Sequence, residues 1–358
     1  MFQSIRKVLK GLSYLGEHAD DIAEIHNQIK ELQIRTHDVQ DRVYDVLWQQ
    51  KTIRHQRDTM FWQIYKVPGE SLKEAKLRFF HSLPAAAGEA RRAQLVMVSL
   101  LKIIHDTCFE NKILYWLDFG TLLGAVRHNG FIPWDDDIDI GMMRQDAMKL
   151  CSILKKDKRF FVRNYYVNGR ENGVNQICQI KWSETPFGTY TGAIDIFLYD
   201  YCLIEPKREN WEFWQKQKKA AVENSKKYPE ARGNLKNLIK GNTQEVLRTA
   251  CLEYSEGVES KFQISNEESP TIVFGFDNMD YPYRDMHMFK KERIFPLKKL
   301  QYEGFNFFVP NEYMEYVEPI YGDIFSLPSD MLSHVHINIQ KQLPILNYLY
   351  EKYVIQKQ

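Results

Sequence analysis

Apolar residues recur at alternating three- and four-residue steps along the first part of the chain: Ile22, Ile25, Ile29, Leu32, Val39, Val43, Val46, Ile53 and Met60. Thr36, Gln50 and Arg57 fill the remaining positions of the same seam. This heptad pattern runs without a proline and predicts a coiled coil over residues 15–60, built by association of two or more copies. The competing reading is one long amphipathic helix packed on its own domain. Either helix would reach on the order of 60 Å at about 1.5 Å per residue. Ahead of the heptads, Phe2, Ile5, Val8, Leu9 and Leu12 share a helical face flanked by Arg6, Lys7 and Lys10. Such a face suits either an anionic membrane surface or a solvated helix start.

Pro68-Gly69 breaks the long helix. Beyond it the patterning changes from a heptad to a mixture of helix and strand periods. Helices are predicted over residues 72–80, 86–111 and 144–156, the second with Leu95, Val98, Leu101, Ile104 and Phe109 near one face. Strands are predicted over 113–118, 160–167 and 175–182, around Asp195, and over 271–276 and 301–309. Residues 207–262 read as a polar helical insert with Trp211 and Trp214, a lid or acceptor-facing subdomain whose charge is mostly a solvated face. The resulting division is 1–65 for the N-terminal amphipathic helix and coiled coil, 66–110 for a helical linker, and 111–358 for the catalytic domain.

The densest chemistry lies in residues 120–140, G-T-L-L-G-A-V-R-H-N-G-F-I-P-W-D-D-D-I-D-I. Asp137, Ile138, Asp139 and Ile140 alternate acid and aliphatic, and alternate residues of a strand share a face. Two carboxylates side by side repel unless a cation sits between them. All-oxygen ligands suit Mg²⁺ or Mn²⁺. A polar loop with solvated charges is the alternative. A lone acid, Asp195, interrupts the apolar run Ala193-Ile194-Asp195-Ile196-Phe197-Leu198. It is costly there unless hydrogen-bonded or metal-bound. Gly120 and Gly124 permit close backbone approach, and amides at a helix start can hold a phosphate. Thr121 adds a hydroxyl, and Arg127, about two turns on, suits a charge-assisted phosphate bond; the alternative for Arg127 is a surface pair with a nearby aspartate. Lys181 is a further phosphate candidate. Trp134 is a candidate either for orienting this loop or for stacking on a bound ring or cationic group. With Trp182 and Tyr190 it is also a candidate cage for a quaternary ammonium. His334 and His336 alternate near the C-terminal end, a weak metal signal.

The run from Gly120 to Ile140 closely resembles the signature of the LicD family, phosphotransferases that move phosphocholine or a related phospho-alcohol from a CDP-activated donor to a glycan hydroxyl. The fukutin-type phosphoribitol transferases are similar to them. The stretch Phe295-Pro296-Leu297-Lys298, Tyr302-Glu303-Gly304, Val309-Pro310 and Tyr321-Gly322-Asp323 also resembles the family. The resemblance implies an α/β (α+β) fold, a nucleotidyltransferase-like mixed sheet with flanking helices, here preceded by the long helix or coiled coil. It implies Gly120-Thr121 as the fold's turn, Asp137, Asp139 and Asp195 as ligands of Mg²⁺ or Mn²⁺, and Asp195 or Asp135 as proton acceptor. It implies a CDP-alcohol donor, with CDP-choline favoured, and a glycan acceptor, including lipid-linked glycans of lipopolysaccharide, capsule or teichoic acid. A bacterial source and a cytoplasmic location, peripheral at the inner face of the membrane, go with it.

Composition narrows the alternatives. A net charge of +1 over 358 residues does not suit a nucleic-acid binder. Five scattered cysteines without a C-x-x-C suit reduced thiols rather than disulfides or zinc. No apolar run reaches the ~18 residues of a membrane-spanning helix, and the N-terminus lacks the apolar core of a secretory signal. Two other readings stand beside the phosphotransferase. An Asp-x-Asp glycosyltransferase using a sugar nucleotide would need a nucleotide-binding half before the acids, where this chain has coiled coil and helix. A coiled-coil scaffold with a degenerate catalytic domain conflicts with the full set of acids.

Overall fold

The computed structural model describes residues 19–169, 173–183, 185–203, 248, 268–275, 288–328 and 337–356. The basic N-terminal face, the insert at 207–262 (Arg248 excepted) with its Trp211, Trp214 and Cys251, and His334 with His336 lie outside the described residues. The chain divides into two compact units, Met1–Ala75 and Lys76–Gln358.

In the first unit, helix α1 (Ala19–Tyr65) is one unbroken helix of 47 residues. The heptad positions from Ile25 to Met60 are all exposed along it. Helix α2 (Leu72–Ser82), which begins in the first unit and ends in the second, opens on a reciprocal cap in which Ser71 and Glu74 bond each other's backbone N–H.

The second unit is a mixed sheet with helices against it. Helix α3 (Gly88–Glu110) buries Ala93, Val96, Met97, Leu100, Leu101, Ile104 and Cys108. That face is broader than the sequence suggested, and it leaves Phe109 exposed. The strand expected over 113–118 forms a ladder only at β1 (Trp116–Leu117). It is followed by α4 (Phe119–His128), β2 (Ile138–Met143), α5 (Arg144–Leu154), β3 (Phe160–Gly169), β4 (Gly173–Trp182) and β5 (Ala193–Cys202). β6 (Thr271–Phe274), β7 (Met288–Lys290) and the short α6 (Lys291–Ile294) come next. The single strand expected over 301–309 is instead a hairpin, β8 (Lys298–Tyr302) and β9 (Phe305–Val309). Glu303 at φ 52° and Gly304 at φ 81° make its two-residue turn. Helices α7 (Tyr313–Tyr321) and α8 (Ile339–Tyr350) follow, and α8 runs into one π-turn at Glu351–Ile355.

The sheet order is β1-β2-β5-β4-β3, with β6 on β5 and β7 on β6. β2 and β5 are parallel, and the other ladders of this sheet are antiparallel. A parallel pair needs a crossover, and α5 with the β3–β4 hairpin supplies it. β5 is central because its alternation allows it: Ile194, Ile196 and Leu198 are buried on one face, which leaves Asp195 to the other.

Candidate active site

The site begins with register. Asp139 of β2 pairs directly with Asp195 of the parallel strand β5. Asp137 lies one residue before β2. One carboxylate oxygen from each of Asp137, Asp139 and Asp195 lies within 4.8 Å of the other two. Ile138 and Ile140, both fully buried, anchor the strand beneath them.

Three carboxyls this close repel one another. Burial, and then the charges of Asp137 and Asp195, push the Asp139 carboxyl well above the ordinary range. Burial, and then the charge and hydrogen bond of Asp137, push Asp135 up to about 8. A cation offsets such repulsion. The donor set contains only oxygen, which fits a hard divalent ion such as Mg²⁺ or Mn²⁺.

The three consecutive aspartates have different surroundings. Asp137 joins the triad. Asp136 is buried and accepts a bond from the Ile337 N–H at 2.8 Å. Asp135 caps the Asp136 N–H at 3.0 Å, and its Oδ2 lies 3.1 Å from where a Cβ on Gly120 would stand. Gln94 of α3 braces this loop by donating to the Asp135 carbonyl at 2.9 Å.

Gly120 and Thr121 seat α4 against the acids. A Cβ at Gly120 would also lie 3.7 Å from Asp139 Oδ2. The Thr121 hydroxyl accepts the Asp139 N–H at 2.8 Å. Gly124 serves packing, since a Cβ there would meet the Gly130 carbonyl at 2.5 Å. Asn129, left-handed at φ 56°, ends the helix.

The remaining sequence candidates are dispersed. Arg127 is buried, with its guanidinium 4.6 Å over the Phe80 ring and Nη1 donating to the Ile324 carbonyl at 3.1 Å. Lys181 donates to the Thr191 carbonyl at 2.9 Å. Burial and Arg163 lower its ammonium pKa while Asp195 opposes them. Trp134 is half-buried with its ring edge-on to His128. Trp182 and Tyr190 are interior, and Trp182 stacks on Tyr353 at 4.0 Å.

Sequence reasoning missed the support behind the triad. Asp118, fully buried, caps α4 through the Phe119 N–H and accepts from Tyr199 Oη at 2.7 Å and Tyr316 Oη at 2.8 Å. Burial raises its carboxyl to about 6, against the pull of those hydroxyls. Its own N–H donates to the Asp139 carbonyl at 3.1 Å, tying this cluster to the acids. Gly141 makes room for it: a Cβ there would stand 2.3 Å from Trp116 Nε1 and 2.7 Å from Asp118 Oδ2. Glu303 in the hairpin turn accepts both Arg91 Nη atoms and the Phe131 N–H. The one available signal was Asp118 itself, an acid between Leu117 and Phe119 in an apolar run.

Residues 112–232 match the family model described as LicD/FKTN/FKRP, nucleotidyltransferase domain. The lipopolysaccharide cholinephosphotransferase LicD of Haemophilus influenzae is 27% identical over 252 residues, covering 67% of this chain and 92% of its own. The ribitol 5-phosphate transferase FKRP of mouse and of human is 53% identical over 35 residues, 10% of this chain and 7% of that protein. A solved terminal uridylyl transferase 4 from Trypanosoma brucei with bound GTP aligns with 55% of this chain and 62% of its own. That alignment has 9% identity and a TM-score of 0.16, too distant to inform the site.

Proposed function

From the premise that the chain carries a nucleotidyltransferase domain of the LicD/FKTN/FKRP family, we propose that it is a phosphotransferase moving a phospho-alcohol, phosphocholine in the first instance, from a CDP-activated donor to a glycan hydroxyl. The observation that carries this reading is the triad of Asp137, Asp139 and Asp195 on two parallel strands.

These three residues would hold the divalent ion. When bound, Mg²⁺ or Mn²⁺ neutralises charge on the donor diphosphate and on the departing nucleotide. The other residues bind, orient and move protons. Asp135 adjoins the triad without belonging to it and shares a hydrogen bond with Asp137; with the ion neutralising Asp137, it would take the proton of the acceptor hydroxyl as the new P–O bond forms. The bond to CMP breaks in the same displacement. The buried Asp118 cluster and the Thr121 hydroxyl hold Asp139 in place. Lys181, on the strand beside Asp195, supplies positive charge for the donor phosphate, and Gly120 with the first turn of α4 lets the donor approach closely. Trp134, in the loop that leads into the acids, is the residue we assign to the head group or base. The acceptor is a cell-surface glycan, including one carried on a membrane lipid; no described helix is long and apolar enough to cross a membrane.

A donor screen tests this. The protein is incubated with CDP-choline, CDP-ribitol, CDP-glycerol and sugar nucleotides, with Mg²⁺, Mn²⁺ or EDTA. Metal-dependent CMP release from a CDP-alcohol is expected. Release of nucleoside diphosphate from a sugar nucleotide instead would replace this reading with the glycosyltransferase.

A further inference from the structure

We infer that α1 is one strand of a parallel three-stranded coiled coil formed with two further copies of this chain. The seam occupies a positions at Ile22, Ile29, Thr36, Val43, Gln50 and Arg57 and d positions at Ile25, Leu32, Val39, Val46, Ile53 and Met60. Ile64 continues it by one more a position. In the single chain this stripe faces water from Ile25 onward, from 49% exposure at Ile29 to 84% at Ile64. It is an apolar line along a 47-residue helix, roughly 70 Å long at about 1.5 Å per residue.

The occupant follows from the period and the flanks. A strict 3.5-residue repeat stays in register only with a helix carrying the same repeat, and a second copy supplies one. A membrane surface is a poor fit. The positions beside the seam are largely amides (Gln28, Gln33, Gln40, Gln49, Gln56 and Gln63) interleaved with Arg35, Arg42 and Arg54, and the next positions out carry Glu24, Glu31, Asp38 and Asp45, which offset those arginines, Glu31 by a direct bond to Arg35. Anionic lipid attracts a basic face.

The number of strands follows from side-chain shape. Two-stranded coils take β-branched residues at a and Leu at d, whereas Ile at both positions shifts preference to three or four strands. Here d holds β-branched Ile25, Val39, Val46 and Ile53, with Leu32 the one leucine, and a holds Ile22, Ile29 and Val43. Direction follows from the polar layers. In a parallel coil Thr36 and Gln50 meet their own copies, and each amide has donor and acceptor to offer the next. In an antiparallel coil they would face apolar d residues and be buried unpaired, which is costly. Between parallel neighbours Arg35 lies opposite Gln40 and Arg42 opposite Leu47, so the flanking pairs bring no like charges together; in the seam, the Arg57 layer alone sets like charges side by side. Arg57, bonded to Asp58 at 2.8 Å, marks where the seam becomes polar.

Sedimentation equilibrium on the full chain should give three times the 42.5 kDa chain mass. Val39→Asp with Val46→Asp should give one chain mass while the near-ultraviolet signal of the folded catalytic unit persists. Replacing Ile25, Val39, Val46 and Ile53 together by Leu should move the mass from three chains to two. Gln50→Ile should raise the concentration-dependent melting temperature of the helix, because its layer is buried. A wild-type mass of one or two chains overturns the inference, as does a trimer that survives the double Asp variant or the Leu set. A single-chain species that binds anionic vesicles would assign the stripe to membrane instead.

Discussion

His128, in the last turn of α4, gives the fold a specific sensitivity to acid. Its ring is edge-on to Phe80 at 5.6 Å and to Trp134 at 6.2 Å, and its Nε2 accepts from Arg127 Nε at 3.1 Å. Burial, then the adjacent Arg127 charge, depress its pKa to about 3; His81 adds to this and a bond to the Phe80 backbone opposes it. The folded protein therefore keeps this ring neutral, while the unfolded chain protonates it near the ordinary value of about 6.5. Between those values the unfolded state holds one more proton. The contribution is intact above pH ~6.5 and is lost as pH falls, at about 1.4 kcal/mol per unit. At about pH 4.5 the loss reaches about 2.7 kcal/mol. His128→Gln can still accept from Arg127 but does not titrate. Its cost is the two ring contacts, about 1–2 kcal/mol together. The variant should be less stable than wild type at pH 7, equal between about pH 5 and 6, and more stable below that. Urea unfolding followed by tryptophan fluorescence, with EDTA so that the acid cluster is in the same state in both proteins, measures the gap. A gap constant from pH 7.5 to 4.5 would refute a buried neutral imidazole.

Asp137→Asn, Asp139→Asn and Asp195→Asn should each weaken Mn²⁺ binding by more than about 100-fold, since even groups behind the ligands are worth about 10–100-fold. Each should also raise the metal-free melting temperature by relieving repulsion, so calorimetric titration and thermal melts must move in opposite senses; unchanged Mn²⁺ affinity would dissolve the triad. Gly141→Ala should cost about 3 kcal/mol, because its methyl meets the Trp116 indole at 2.3 Å and overpacking a rigid neighbour costs about 1–3 kcal/mol or more. Gly304→Ala, with nothing within 4 Å, should cost only the left-handed backbone penalty of about 1 kcal/mol. Equal melting temperatures for the two would contradict this account.

The acids were legible because strand alternation is local: Asp137 and Asp139 declare their shared side within three residues. Asp195 stood out as one acid in an apolar run, but its place beside Asp139 depends on parallel pairing across 56 positions, which no local pattern encodes. The β8–β9 hairpin was read as one strand because its turn relies on Glu303 at φ 52°, a conformation a glutamate seldom adopts. The burial of Arg127 was equally hidden, since Phe80 and the Ile324 carbonyl arrive from distant parts of the chain. Asp118 with Tyr199 and Tyr316 is the largest omission. Asp118 alone left a signal, an acid in an apolar run, but Tyr199 and Tyr316 look ordinary, and only the sheet and α7 bring the three together.

The pairing of β5 with β6 has a consequence for how such a chain can diversify. Cys202 and Thr271 are partners across that ladder, so the stretch 203–270 leaves and returns at neighbouring points of one sheet. Asp195 lies upstream of the exit, held by β2 and β4. Lengthening or trimming what lies between those anchors changes closure entropy only slowly, about 0.6 kcal/mol per doubling. The acid cluster therefore need not move when that stretch is rewritten, and selection can work on the two independently.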